Sequence, residues 1–116
     1  MNAIDELFGR IRAEGGTALM PFITMGDPHL DATVDIILQL ERSGADLLEL
    51  GVPYSDPLAD GPVIQRASER ALQNRITMLD CIEAAGRARE AGAKLPFVLF
   101  TYFNPLLQFG IERGFD

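Results

Sequence analysis

The chain is short of positive charge. Its 116 residues carry 10 Lys and Arg against 17 Asp and Glu, a formal net charge of −7. That deficit argues against a nucleic-acid binder, which needs a basic face to displace counterions. It argues equally against a polybasic membrane-surface segment. Cysteine occurs once, at Cys81, which excludes an intramolecular disulfide. Cys81 sits in a helical apolar pattern and reads as buried filler, and lone cysteine usage fits a reducing compartment. No apolar run approaches the roughly 20 residues of a membrane-spanning helix. The N-terminus has Asp5 and Glu6 and no apolar stretch of the signal-peptide kind, so a cytoplasmic location is expected. Also lacking are a Walker motif, a nucleophile elbow and any Cys/His spacing of the metal-binding type. The pair Gly15-Gly16 precedes a predicted strand instead of following one, so it is no phosphate cradle. There is no linker, low-complexity stretch or internal repeat.

What is present is ordinary globular composition, 47 % hydrophobic and 23 % charged, in a length that suits one domain at most. Ile4, Leu7, Phe8 and Ile11 fall at helical spacing behind Asn2, a candidate cap, and the helix should end near Gly15-Gly16. Residues 17–24, TALMPFIT, read as a strand. Met25-Gly26-Asp27-Pro28 is turn chemistry, with Pro28 suited to a first helical turn. A helix follows from Leu30 to about Glu41, stopped by Gly44, and a second strand from Asp46 to Leu50. The Gly/Pro-rich stretch 51–62 is a loop. Two helices come next. The first runs from Val63 to Asn74, with Val63, Ile64, Ala67, Ala71 and Leu72 on its apolar side. The second runs from Thr77 to about Ala91 behind a Thr77/Asp80 capping box. Residues 95–102, LPFVLFTY, form a third strand, and Asn104-Pro105 opens a short helix.

This alternation calls for a parallel α/β sheet whose apolar strands are covered on both faces. A doubly wound sheet and a (β/α) barrel both remain open at this point. Neither closes with three strands, so the chain reads as the first part of a larger fold.

Glu49 interrupts an apolar strand near its carboxyl end, the end that carries the active site in either architecture. A buried carboxylate costs several kcal/mol unless paired or protonated. Desolvation would favour its proton-carrying form, as a general acid requires. A Glu satisfied by backbone or water is the alternative. Asp60 precedes a predicted helix, so it is an N-cap, a functional carboxylate or both; the helix N-terminus should keep it ionised. Two carboxylates under opposed pressures make an acid/base arrangement. Asp56, in Ser55-Asp56-Pro57, is a turn former or a contact residue. A divalent metal held by Glu49, Asp56 and Asp60 is a weak alternative, since no ligand motif is spelled out. His29, at a helix start, reads as solvated. Phe22 and Tyr102, at strand ends, either pack in the core or wall a pocket of aromatic size.

LELGVPYSDPLADGP at residues 48–62, PFITMGDP at 21–28 and FTYFNP at 100–105 resemble the tryptophan synthase α chain family. The likeness runs in order along essentially the whole chain and covers about the first two fifths of the family's usual length. It implies a (β/α)₈ TIM barrel, of which residues 1–116 form the N-terminal segment of a single domain with about three strands. It further implies a lyase of tryptophan biosynthesis that splits indole-3-glycerol phosphate into indole and glyceraldehyde 3-phosphate by retro-aldol chemistry. In that family Glu49 would be the general acid and Asp60 the acceptor of the indole N–H. Phe22 and Tyr102 would line the indole pocket. Phe100 would line it too, standing where a smaller aliphatic residue is expected. Pro53, Tyr54, Asp56, Pro57 and Asn104 would face a β chain in an α₂β₂ assembly. The α reaction would need no cofactor or metal, pyridoxal phosphate belonging to the β chain. The phosphate site and the closing loop would lie in sequence beyond Asp116. By itself the 116-residue chain is expected to be inactive and to self-associate. A non-catalytic fragment acting only by association with a partner chain is the alternative of another class, and a different barrel enzyme acting on a phosphorylated sugar is a third.

Overall fold

A computed structural model describes residues 2–55 and 59–110. Its elements run α1 (Ala3–Ala13), β1 (Phe22–Thr24), α2 (Leu30–Arg42), β2 (Leu48–Gly51), α3 (Pro62–Leu72), α4 (Met78–Glu90), β3 (Phe97–Phe100) and α5 (Phe103–Phe109). The strands form one parallel sheet in the order β1-β2-β3. The element order matches the sequence reading of a parallel α/β sheet with its strands side by side in chain order.

The helix starts follow local chemistry. Asn2 accepts from the Asp5 amide at 2.9 Å. Thr77 and Asp80 form the expected reciprocal capping box, a motif whose loss costs about 1 kcal/mol. His29 is exposed, and its Nδ1 accepts from the Ala32 amide at 3.2 Å, so it caps α2. Pro28 lies outside the helix, joined to Asp27 by a cis peptide bond, which corrects its expected place in the first turn. The cap of α3 is Gly61, with no side-chain hydrogen bond. Asp60, one residue earlier, uses its carbonyl to accept from Gln65 Nε2 at 2.8 Å; the capping alternative for its carboxylate is thereby overturned.

The strands are shorter than predicted. Before β1, extended chain still touches the second strand region: the Asp46 amide donates to the Leu19 carbonyl at 2.9 Å. The Leu19 amide turns instead to the Asp46 carboxylate at 2.8 Å. Pro21 has no N–H to give, so regular pairing starts only at Phe22.

Register decides which face each residue takes. Phe22, Glu49 and Val98 are partners across the sheet, as are Thr24, Gly51 and Phe100. All six share one face, because alternate residues point the same way. The other face presents Leu48 and Leu50 to a core with Met25, Ile37, Ala71, Ile76, Cys81 and Ala84, and Ile23 and Phe97 pack against it. Cys81 is fully buried there, as expected. α2 packs on α4, and α3 lies against β1. Phe100 on the other face is 45 % exposed, as fits apolar strands of which this chain covers only one face with helices. Two apolar readings are also corrected. Val63 is 76 % exposed at the start of α3, whereas the polar Ser68 further along the helix is buried, and Phe8 of α1 is 40 % exposed.

The turn after β1 is clamped to α3. Arg70 makes two 3.0 Å contacts with the Asp27 carboxylate, through Nε and Nη2. One helical turn on, Asn74 Nδ2 donates to the carbonyls of Gly26 at 3.3 Å and Pro28 at 2.6 Å. The Gly26 amide donates to buried Thr33 Oγ1 at 2.8 Å. The α4–β3 connection is held similarly: one oxygen of Glu41 accepts from the amides of Lys94 and Leu95, both at 2.8 Å.

Candidate active site

β2 delivers Glu49 to the uncovered face of the sheet, between Phe22 and Val98 in register. The strand fixes it from both sides, its own amide donating to the Pro21 carbonyl at 2.9 Å. Glu49 is half-buried, so the fully enclosed carboxylate anticipated from the strand pattern is not what the chain presents. Two residues on, Gly51 has no side chain, and the Phe22 ring occupies the space: a β-carbon at Gly51 would sit 2.5 Å from Phe22 Cζ. Phe22 meets Phe100 edge to face, with centroids 5.6 Å apart and planes at 84°. The two rings thus make an aromatic wall beside Glu49, built across all three strands. An edge-to-face pair of this kind contributes roughly 1 kcal/mol beyond simple burial.

Asp60 belongs to a second cluster at the end of the β2–α3 loop. The Ala59 amide donates to Tyr102 Oη at 3.0 Å. The Tyr102 ring packs against that of Tyr54 at 4.8 Å between centroids. Desolvation, together with the nearby negative charge of Asp60, raises the phenol above its ordinary value, while the backbone amides of Ala59 and Asp60 act the other way. Tyr102 is not the last strand residue, as predicted, but the N-cap position of α5. Helix α5 opens at Phe103, one residue before the expected Asn104.

Of the expected partner-facing residues, Pro53 is buried and Tyr54 half-buried. Both line a groove of about 470 Å³ with Ile76, Met78, Leu79 and Pro105. Asn104 lies in α5, and Asp56 and Pro57 fall outside the described residues. A metal site was a weak alternative; among the described residues no three His, Cys, Asp or Glu side chains group to hold an ion.

Sequence reasoning gave Tyr54 only as a partner-facing residue, without its packing on Tyr102, and missed Gly51 and the Asp27–Arg70–Asn74 clamp. Arg70 and Asn74 stand four residues apart on or just beyond α3 and so share a face. That spacing, opposite a turn containing an acidic residue, was the available signal. The contacts of Tyr54 and Gly51 depend on tertiary placement and left no local signal.

The comparisons agree with this geometry. Residues 8–116 match the family model described as tryptophan synthase alpha chain. The tryptophan synthase alpha chain of Chloroflexus aggregans is 50 % identical over 114 residues, covering 98 % of this chain and 43 % of that protein. That of Synechococcus elongatus is 53 % identical over 116 residues, covering 100 % and 43 %. Among solved structures, tryptophan synthase subunit alpha from Legionella pneumophila superposes with a TM-score of 0.95 at 44 % identity, over 98 % of this chain and 44 % of that one. A tryptophan synthase chain from M. tuberculosis, solved in the aminoacrylate-bound form, gives 0.88 at 37 % identity, over 97 % and 45 %. The chain spans a little over two fifths of the length of these relatives, and it belongs to the tryptophan synthase alpha chain family.

Proposed function

We propose that residues 1–116 are the N-terminal segment of one barrel domain and supply the acid/base groups of a lyase acting on indole-3-glycerol phosphate. The observation that carries this reading is Glu49, on a sheet face walled by Phe22 and Phe100. An aromatic ring suits that wall, and Glu49 lies within the same face to meet a ring carbon.

In the proposed reaction Glu49 delivers its proton to the indole carbon that bears the side chain. Positive charge then builds on the ring nitrogen, and Asp60 accepts the hydrogen bond from that N–H and stabilises the charge. The hydroxyl on the adjacent side-chain carbon gives up its proton, which Glu49 can take. The carbon–carbon bond breaks, its electrons return to the ring, and the side-chain carbon leaves as the aldehyde of glyceraldehyde 3-phosphate. No cofactor enters this sequence. Phe22, Phe100 and Tyr102 would shape the ring's pocket. Pro53, Tyr54, Asp56, Pro57 and Asn104 would meet a β chain carrying pyridoxal phosphate, in an α₂β₂ assembly. Among the described residues no helix is long and apolar enough to cross a membrane, and we place the reaction in the cytoplasm.

The test is indole release from indole-3-glycerol phosphate by this chain joined to the remaining part of a family barrel. Steady indole formation above the rate of the remaining part alone is expected; none from a folded fusion would refute the reading.

A further inference from the structure

Helix α3 is lightly packed. Of its residues only Ser68 and Ala71 are buried, and side chains that small give it little apolar hold on β1. Its start is no firmer: Gly61 caps it without a side-chain hydrogen bond, and Val63 is exposed. Polar contacts at its far end supply what packing leaves out. Arg70 grips the Asp27 carboxylate through Nε and Nη2, both at 3.0 Å, and Asn74 Nδ2 donates to the Gly26 and Pro28 carbonyls. A two-pronged guanidinium–carboxylate contact fixes direction as well as distance. The turn it grips is itself held, the Gly26 amide donating to buried Thr33 and the Met25 amide to the Gly51 carbonyl at 2.9 Å.

We propose that the Asp27–Arg70–Asn74 clamp positions the opposite end of α3, where residues 59–61 close the β2–α3 loop. Arg70 stands nine residues after Gly61, roughly 14 Å along a helix axis. A helix carries a shift at one end to the other, because its hydrogen-bonded turns move as one element. At the near end Gln65 Nε2 donates to the Asp60 carbonyl at 2.8 Å and the Gln65 amide to the Gly61 carbonyl at 3.0 Å. The Ala59 amide donates to Tyr102 Oη at 3.0 Å. The backbone of the loop end is thus pinned between α3 and the exit of β3, while α3 is pinned to the exit of β1. Without the clamp α3 is free to tilt on β1 and takes the loop-end backbone with it. Arg70 and Asn74 act through the helix, as positioning residues. The consequence for chemistry rests on the proposed function, in which Asp60 meets the ring N–H.

The test is amide hydrogen exchange, read by NMR on the chain joined to the remaining part of a family barrel, for Arg70→Gln and Asn74→Ala. The amides of Ala59 and Gln65 should exchange about tenfold faster, as a local opening that loses one well-made contact. The Leu48 amide, which donates to the Pro96 carbonyl at 3.0 Å in the sheet, should keep its rate. Arg70→Lys keeps the charge without the fork and should fall between. In the same fusion Arg70→Gln should lower kcat by about tenfold with KM nearly unchanged, because a displaced loop end is felt where charge builds. Unchanged exchange at Ala59 and Gln65 would overturn the proposal. So would equal acceleration at Leu48, which would make the clamp a general stabiliser, and so would an unchanged kcat in a fusion that releases indole. Exchange needs no turnover. A folded fusion that forms no indole refutes the function, and the clamp is then judged on exchange alone.

Discussion

The Phe22 ring lies over Gly51 of the neighbouring strand, close enough that a β-carbon there would come within 2.5 Å of Cζ and 3.1 Å of Cε2. The contact falls on the far end of a side chain that can turn away, with the Ile23 carbonyl at 3.2 Å as the stiffer neighbour. Gly51→Ala is therefore expected to fold, at a cost of about 1 kcal/mol. Its ring contact should not survive. Cross-peaks between Phe22 and Phe100 in an aromatic NOE spectrum should vanish, and their persistence would show that the glycine is not what admits the ring.

Gly26→Ala is expected to be the harsher change. Gly26 has φ +87°, and an added β-carbon would meet Ile76 Cγ1 at 2.5 Å and Cδ1 at 3.0 Å. Ile76 is buried in the core and cannot swing aside as Phe22 can. Backbone strain and overpacking together should cost about 3 kcal/mol. Urea midpoints of the two alanine variants would settle their order; Gly26→Ala as stable as Gly51→Ala would contradict it.

Burial pushes the Cys81 thiol up to about 12, with the nearby charge of Asp80 adding to the effect. The fold favours the protonated thiol. This contribution to stability is fully present below the ordinary thiol value and is lost as pH rises through the raised one. Native chain at pH 8 should react with a disulfide reagent only by way of unfolding, at a rate that rises steeply with denaturant. Immediate reaction without denaturant would mean that the α2–α4 core is open.

Self-association of the 116-residue chain is the fourth expectation. β1 and β3 are the edges of the sheet. Leu99, Phe100, Phe103 and Leu107 of β3 and α5 are between 39 % and 61 % exposed. Apolar edges and patches of this kind recruit other chains. Sedimentation at micromolar concentration should show species above the monomer mass; a lone monomer with a cooperative melt would refute the expectation.

Much of this architecture was legible before the fold was known because it is written locally. Helix periodicity, the Thr77/Asp80 capping box and the glycine stops placed α1 to α4 to within a few residues. The order of elements then required a parallel sheet. Strand ends were harder to read, since an apolar run such as TALMPFIT does not say where pairing stops; Pro21 and the detour through Asp46 decide it. Asp60 misled for a related reason. Aspartate before a helix reads as its cap, yet Gly61 takes that position and Asp60 offers its backbone carbonyl to Gln65. Glu49 was visible as a charge out of place in a strand. Its surroundings were not, because the wall of Phe22 and Phe100 depends on register across three strands and on the missing side chain of Gly51.

The central claim is that Glu49 carries the proton that cleaves the substrate. Its most direct test compares indole formation from indole-3-glycerol phosphate by this chain, joined to the remaining part of a family barrel, with and without Glu49→Gln. Glutamine keeps the size and hydrogen-bonding of the side chain but has no proton to deliver. The account predicts an unchanged circular dichroism spectrum and a turnover lowered by about 10²–10⁴-fold. A folded Glu49→Gln protein that releases indole at nearly the original rate would contradict it.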